Sequence, residues 1–323
     1  MTLVLNKIYS WMSRRIFICV FVSLAAGYFY PLTPTPFWQK TIMVLFAYMT
    51  FATALGTSFK EFLAVSRKPK IPLYILSVVH IVTPLTAWVV GKLFFPDSFN
   101  VQIGFLIGAA IPVGVTSIIW TSIVKGNVPV SLVTVTLDTI ISPLLLPLFI
   151  LAVIGVAVKI NYMAMAIDLV LMITLPSIVG MLLHDQTGGA TKGFVNGIGG
   201  ILSRLSFFAV IFINSAFVTP FIVWSAFILK ILLVTLLLVT AGYFIGYGSS
   251  RLIGAGHGVT LAIVYNTGMR NIATGLVIAS AYFPPDVAIP ITMMILFQQP
   301  LAAVTAKVYE KCYPGYSQAV ENQ

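Results

Sequence analysis

Ten long apolar runs, parted by short polar or proline-containing turns, make up most of the chain. A helix needs about 20 apolar residues to cross a bilayer. Spans are therefore predicted at 15–33, 37–58, 71–94, 102–124, 128–156, 163–183, 196–218, 221–247, 257–282 and 286–308. No connection between them is long enough for a soluble domain. The expected fold class is all-α integral membrane, with residues 1–323 forming a single polytopic membrane domain.

Two runs are irregular at mid-depth. The fourth reads I-G-A-A-I-P-V-G-V-T-S and carries Pro112, Gly114, Thr116 and Ser117. Proline there removes a helix hydrogen bond and clashes with the preceding turn. The ninth reads V-Y-N-T-G-M-R-N-I-A and is interrupted at Asn266–Asn271. Gly268 lowers helix propensity by about 1 kcal/mol, and Asn and Thr side chains compete for backbone hydrogen bonds. Counting five spans to a half, these are the fourth of each half. The fifth and tenth also correspond, with Ser142-Pro143-Leu144-Leu145 against Gln299-Pro300-Leu301-Ala302. An odd number of spans per half orients the halves oppositely, giving inverted repeats at about 10–157 and 160–310. Interrupted helices at matching places are the sequence sign of a midplane binding site in secondary transporters.

Charge sets the orientation. Lys7, Arg14, Arg15, Lys60, Arg67, Lys68, Lys70, Lys125, Lys192, Arg251, Lys307 and Lys311 fall on one side, and Lys159 falls on the other. By the positive-inside rule both termini are predicted cytoplasmic, in the plasma (inner) membrane. The formal net charge of +10 is spread over these loops and calls for no nucleic acid. With 59% hydrophobic and 8% charged residues, and a mean hydropathy of +1.03, most of the chain needs a lipid bilayer as partner. Cys19 and Cys312 form no metal or disulfide pattern, and the first run continues to Tyr30 without an A-x-A cleavage site.

Several residues carry candidate chemistry. Arg270 stands in hydrocarbon, where such a charge costs about 2.5–3.5 kcal/mol on insertion scales and usually marks a cavity or pathway. The alternative is an ion pair that only holds the bundle together. Asp138, midway along the fifth run, is its natural partner, since the other acids lie in loops, tails or near segment ends. Asp138 either completes that structural pair or titrates during transport. Ser131, Val135 and Asp138 share one helix face. Asn266, Thr267 and Asn271 are read as ligands for ion or substrate, the alternative being relief of the broken backbone. Thr116, Ser117 and Thr121 are weaker candidates, because Ser and Thr also join membrane helices. Gln298 and Gln299 sit at the kink before Pro300. His80 is read as a packed, hydrogen-bonded histidine, with proton shuttling as its alternative. His184, Asp185 and Lys192 form a solvated loop. No Walker A, G-x-S-x-G, H-E-x-x-H or CxxC pattern is present, so neither an ATP-driven pump nor an enzyme is expected.

The stretch P-V-G-V-T-S…K-G-N-V-P-V-S-L…S-P-L-L-L-P (Pro112 to Pro147), the N-T-G-M-R-N of Asn266 to Asn271, and the P-L-T-A-W of Pro84 to Trp88 resemble the bile acid:sodium symporter family. The resemblance implies ten transmembrane helices in two inverted five-helix repeats, divided into a panel and a core domain. The broken fourth and ninth helices cross in the core. It implies sodium near the crossing and transport of an organic anion such as a bile acid, sulfated steroid, pantoate or keto acid. Sodium-site remnants fall on Ser117, Ser131 and Asn266. The family's other ligands fall on Ile118, Val135 and Arg270, and its third-helix glutamine falls near Val79, beside His80. A carboxylate has become an amide, two oxygen ligands have become aliphatic and an amide has become a fixed cation. At least one sodium site is therefore expected to be absent, with Arg270 in its place. No cofactor is assigned, and the coupling ion stays open between Na+ and H+. The guanidinium has a second use, as counter-ion to the substrate. A non-transporting membrane receptor or partner subunit, and an arsenite-type exporter, are the alternatives. Substrate, direction, stoichiometry and oligomeric state stay open.

Overall fold

The structure is a computed structural model that describes residues 11–12, 15–56, 58–60, 69–155, 161–195, 197–223 and 225–312. Lys7, Arg14, Arg67, Lys68 and Lys159, all used for the charge count, lie outside the described residues. Among those described there is no strand, and one isolated backbone bridge. The helices are α1 (Ile16–Phe29), α2 (Pro36–Ala54), α3 (Lys70–Ser77), α4 (Thr83–Phe94), α5 (Phe99–Ala110), α6 (Thr116–Ile123) and α7 (Val128–Ile154). They continue as α8 (Tyr162–Leu169), α9 (Leu175–Gln186), α10 (Thr191–Val195), α11 (Ile198–Val218), α12 (Ala226–Leu252), α13 (His257–Gly268), α14 (Ile272–Tyr282) and α15 (Ala288–Cys312).

Among the described residues, six stretches are long and apolar enough to cross a membrane: Lys70–Phe94, Val128–Ile154, Tyr162–Gln186, Ile198–Phe221, Ala226–Leu252 and Pro285–Lys311. Their outward faces are apolar as well. Leu85, Val89 and Leu93 lie exposed on one stripe of α4, as do Leu229, Leu233 and Leu237 on α12. Water does not tolerate such contiguous patches on a monomer, whereas lipid does. The chain is an integral membrane protein.

Two of the six stretches contain a π-helical turn. Val78–Val82 joins α3 to α4, and Val170–Thr174 joins α8 to α9. Each is followed by a proline, Pro84 or Pro176, at the second residue of the next helix. Proline has no N–H to give the preceding turn, so the ladder shifts register there and a carbonyl is left for another donor.

The chain forms two compact units. One comprises Met1–Arg67, Pro143–Val223 and Ala273–Ala288. In it α11 packs on α1 and α2, with Gly27 where a Cβ would clash with the Phe212 carbonyl oxygen. Tyr282 donates a hydrogen bond to Asp168. His184, expected in a solvated loop, is buried and bonds the Leu55 carbonyl at 2.8 Å. The other unit comprises Lys68–Ser142, Trp224–Ile272 and Ile289–Gln323. Its apolar centre is Ile75, Val79, Val113, Val135 and Ile263. The α12 and α13 helices approach closely at Gly246, where a Cβ would meet Val264 Cα at 2.8 Å.

Candidate functional site

The second unit contains two helix interruptions, and they meet. Helix α5 stops at Ala110, Ile111 turns extended ahead of Pro112, and helix resumes at Thr116. Helix α13 stops at Gly268, Met269 is extended, and α14 begins at Ile272. Helix ends leave backbone groups without intrahelical partners, and these two gaps satisfy each other. Val113 and Arg270 form an antiparallel bridge. Gly114 N–H donates to the Met269 carbonyl at 3.1 Å, and Asn271 N–H donates to the Pro112 carbonyl at 2.8 Å. A Cβ on residue 114 would lie 2.9 Å from the Arg270 carbonyl oxygen, so glycine is required at this approach.

Asp138 sits beneath the bridge with none of its surface exposed. Its Oδ2 accepts the Val113 N–H at 2.6 Å. Its Oδ1 meets His80 Nε2 at 2.6 Å and accepts the Ser142 hydroxyl. His80 lies in the π-turn, which carries it towards α7. The expected partner of Asp138 was Arg270. The bond formed is instead with His80.

Arg270 is buried and held at both ends. Gln298 clamps its backbone, accepting the Arg270 N–H at 2.8 Å and donating to its carbonyl at 3.0 Å. Its Nη2 donates to Thr83 Oγ1 at 2.6 Å and reaches the Val79 carbonyl at 3.5 Å. In the π register the Val79 carbonyl would accept from residue 84, but Pro84 has no N–H. Thr83 Oγ1 and the guanidinium share that oxygen instead. Arg270 Nη1 and Thr267 Oγ1 are buried with no hydrogen-bond partner. Both residues line a narrow cleft with Thr83, Thr86, Gln298 and Met294. Its volume is about 40 Å³, room for a few waters or an anionic head group rather than a whole metabolite.

A second, uncharged cluster lies along α6, α7 and α13. Asn266 Oδ1 accepts from Ser117 Oγ at 3.1 Å, and its Nδ2 donates to Ser131 Oγ at 2.6 Å and to the Ala262 carbonyl at 2.7 Å. Ser131 Oγ also bonds Thr121 Oγ1 at 2.8 Å. Ser117, Thr121, Ser131 and Asn266 are all fully buried. Thr116 is half-buried and accepts from Gln299 Nε2 at 3.3 Å, while Gln299 Oε1 accepts from Trp120. Asn271 enters through its backbone, at the bridge. The structure thus gathers the predicted residues into two neighbouring polar groups. Thr83 and Ser142 belong to the first and were not singled out from the sequence. Their signals are present: Thr83 immediately precedes Pro84, and Ser142 stands one helical turn after Asp138.

The family profile described as "Sodium Bile acid symporter family" matches residues 42–246. The chain belongs to the sodium bile acid symporter family. Among similar proteins, the uncharacterized protein YbaS of Bacillus subtilis (strain 168) is 32% identical over 83% of this chain and 88% of its own length. The uncharacterized sodium-dependent transporter YocS of the same organism is 22% identical, over 95% of this chain and 94% of its own. The probable chloroplastic sodium/metabolite cotransporter BASS1 of Oryza sativa subsp. japonica is 24% identical, over 72% of this chain and 57% of its own. Family membership makes this chain a membrane transporter.

The family name implies sodium, but the residues here do not fit it. A hard cation needs free oxygen ligands and negative charge. Ser117, Ser131 and Asn266 hydrogen-bond one another, and no carboxylate joins them. The adjoining Val79 carbonyl and Thr83 hydroxyl are occupied by a guanidinium. Among the described residues no group of three or more His, Cys, Asp or Glu could hold a metal ion.

Proposed function

We propose that the chain is a secondary transporter that moves a small organic anion across the plasma membrane by alternating access. Its ten spans form two inverted five-helix repeats, about 10–157 and 160–310, with both termini in the cytoplasm. The observation that carries this reading is a buried guanidinium at the meeting of two broken helices, with one nitrogen unbonded. A planar guanidinium fork matches carboxylate or sulfate, and the free Nη1 of Arg270 supplies the donor. The sodium/metabolite cotransporter names of the relatives support a small-molecule substrate.

The test is uptake into proteoliposomes of radiolabelled cholate, oestrone sulfate, pantoate and pyruvate. Saturable flux is expected for at least one of them. Arg270→Gln should abolish it, and Arg270→Lys should retain a fraction. Binding without flux would make the protein a receptor and overturn the reading.

A further inference from the structure

We propose that this chain carries its own cation at the helix crossing and binds no sodium there. Three observations converge on it. First, the oxygens beside the bridge already have a positive partner. The Val79 carbonyl, freed by Pro84, and the Thr83 hydroxyl are the kinds of oxygen that would dress a small hard cation, and Arg270 Nη2 occupies both. The Gln298 clamp on the Arg270 backbone fixes the guanidinium at that place.

Second, the neighbouring polar cluster is closed and neutral. Each oxygen of Ser117, Ser131 and Asn266 already takes part in a hydrogen bond. Binding a cation would place a charge among neutral groups, with no carboxylate to compensate. Ile118 and Val135, on the same two helices, offer no oxygen, and Val135 lies in the apolar centre of the unit.

Third, the charges balance without an ion. Asp138 is the one buried acid and Arg270 the one buried Lys or Arg among the described residues. They sit on either side of the bridge, since Asp138 accepts the Val113 N–H and Val113 pairs with Arg270. His80, on the π-turn, is the third titratable group and is bonded to Asp138. An added sodium would face a fixed cation in a low dielectric, and the two would repel. A tethered guanidinium cannot leave with the substrate, so a sodium gradient has nothing to drive at this site.

The experiment needs no substrate. Apparent unfolding temperature of the purified full-length protein is followed as NaCl replaces choline chloride at constant ionic strength. The wild type should not respond to sodium. Asn266→Glu with Arg270→Gln restores an acid and an amide and removes the tethered cation. That double variant should gain a saturable, sodium-specific rise of about 3 °C or more at concentrations well above its dissociation constant. Arg270→Lys keeps a cation and should stay indifferent; it serves as the informative variant if the double one does not fold. A saturable sodium-specific rise in the wild type or in Arg270→Lys overturns the proposal. So does a folded double variant that ignores sodium, because Arg270 would then not be what excludes it.

Discussion

Replacing Asp138 by asparagine tests whether the charges under the crossing are coupled. The carboxylate is fully buried and serves three groups: the Val113 N–H, His80 and Ser142. Asparagine keeps the shape and can still accept from Val113. It removes the negative charge and turns an NH2 towards groups that met an oxygen. Removing one partner of a buried ion pair costs about 3–5 kcal/mol, because the charge left behind is uncompensated. The stranded charge here is Arg270, with His80 losing its acceptor. Set against a total stability of roughly 5–15 kcal/mol, that is about a fifth of the margin or more. At about 2–4 °C per kcal/mol for a large domain, the apparent unfolding temperature should fall by roughly 6–20 °C. Fluorescence-detected size-exclusion after heating in detergent measures this. Adding Arg270→Gln to Asp138→Asn restores neutrality, so the double variant should recover about 1–3 kcal/mol relative to the sum of the singles. If Asp138→Asn lies within about 1 kcal/mol of wild type, or the two changes simply add, the charges do not act on each other across the bridge and the balance argument fails.

Gln298→Ala removes both ends of the clamp on the Arg270 backbone. It should cost about 1–3 kcal/mol by thermal unfolding, because the buried Arg270 N–H and carbonyl each lose a partner. Gly246→Ala places a methyl 2.8 Å from Val264 Cα and should cost about 1–3 kcal/mol. Gly248→Ala, on the same helix with open space around it, should be neutral or slightly stabilising on the same assay.

Much of this arrangement is legible in the chain because lipid leaves little choice. Apolar runs must be helices, so the segment pattern follows from hydropathy. Pro112 and the Asn266–Asn271 stretch mark the two interruptions. Their detail is less legible. The ninth segment was expected to open from Asn266, yet Asn266, Thr267 and Gly268 remain helical and the gap begins at Met269. Packing decides this: a Cβ at residue 242 would approach the Thr267 carbonyl oxygen at 3.3 Å, and the Tyr243 ring fills the space beside Gly268. Close contact with α12 therefore overrides weak local propensity. The expected Asp138–Arg270 bond failed for a similar reason. Which side chain reaches a buried acid depends on the register of a neighbouring helix, and the π-turn ahead of Pro84 alters that register in favour of His80. A spacing rule built on regular helices does not contain that shift.

The bridge between the two interrupted helices also has a consequence for biosynthesis. Ser117 and Asn266 are 149 residues apart in the chain, and the Pro112 carbonyl finds its donor only in Asn271. At roughly 5–20 residues per second of synthesis, the first interruption is made well before its partner exists. The His80–Asp138 contact, 58 residues apart, can close early and hold the Val113 N–H in the interim. The Gly114 N–H and the Pro112 carbonyl have no such local partner, and wait on the second half of the molecule. A chain halted before Met269 should therefore be a substrate for membrane quality control, and maturation should be limited by delivery of the ninth segment.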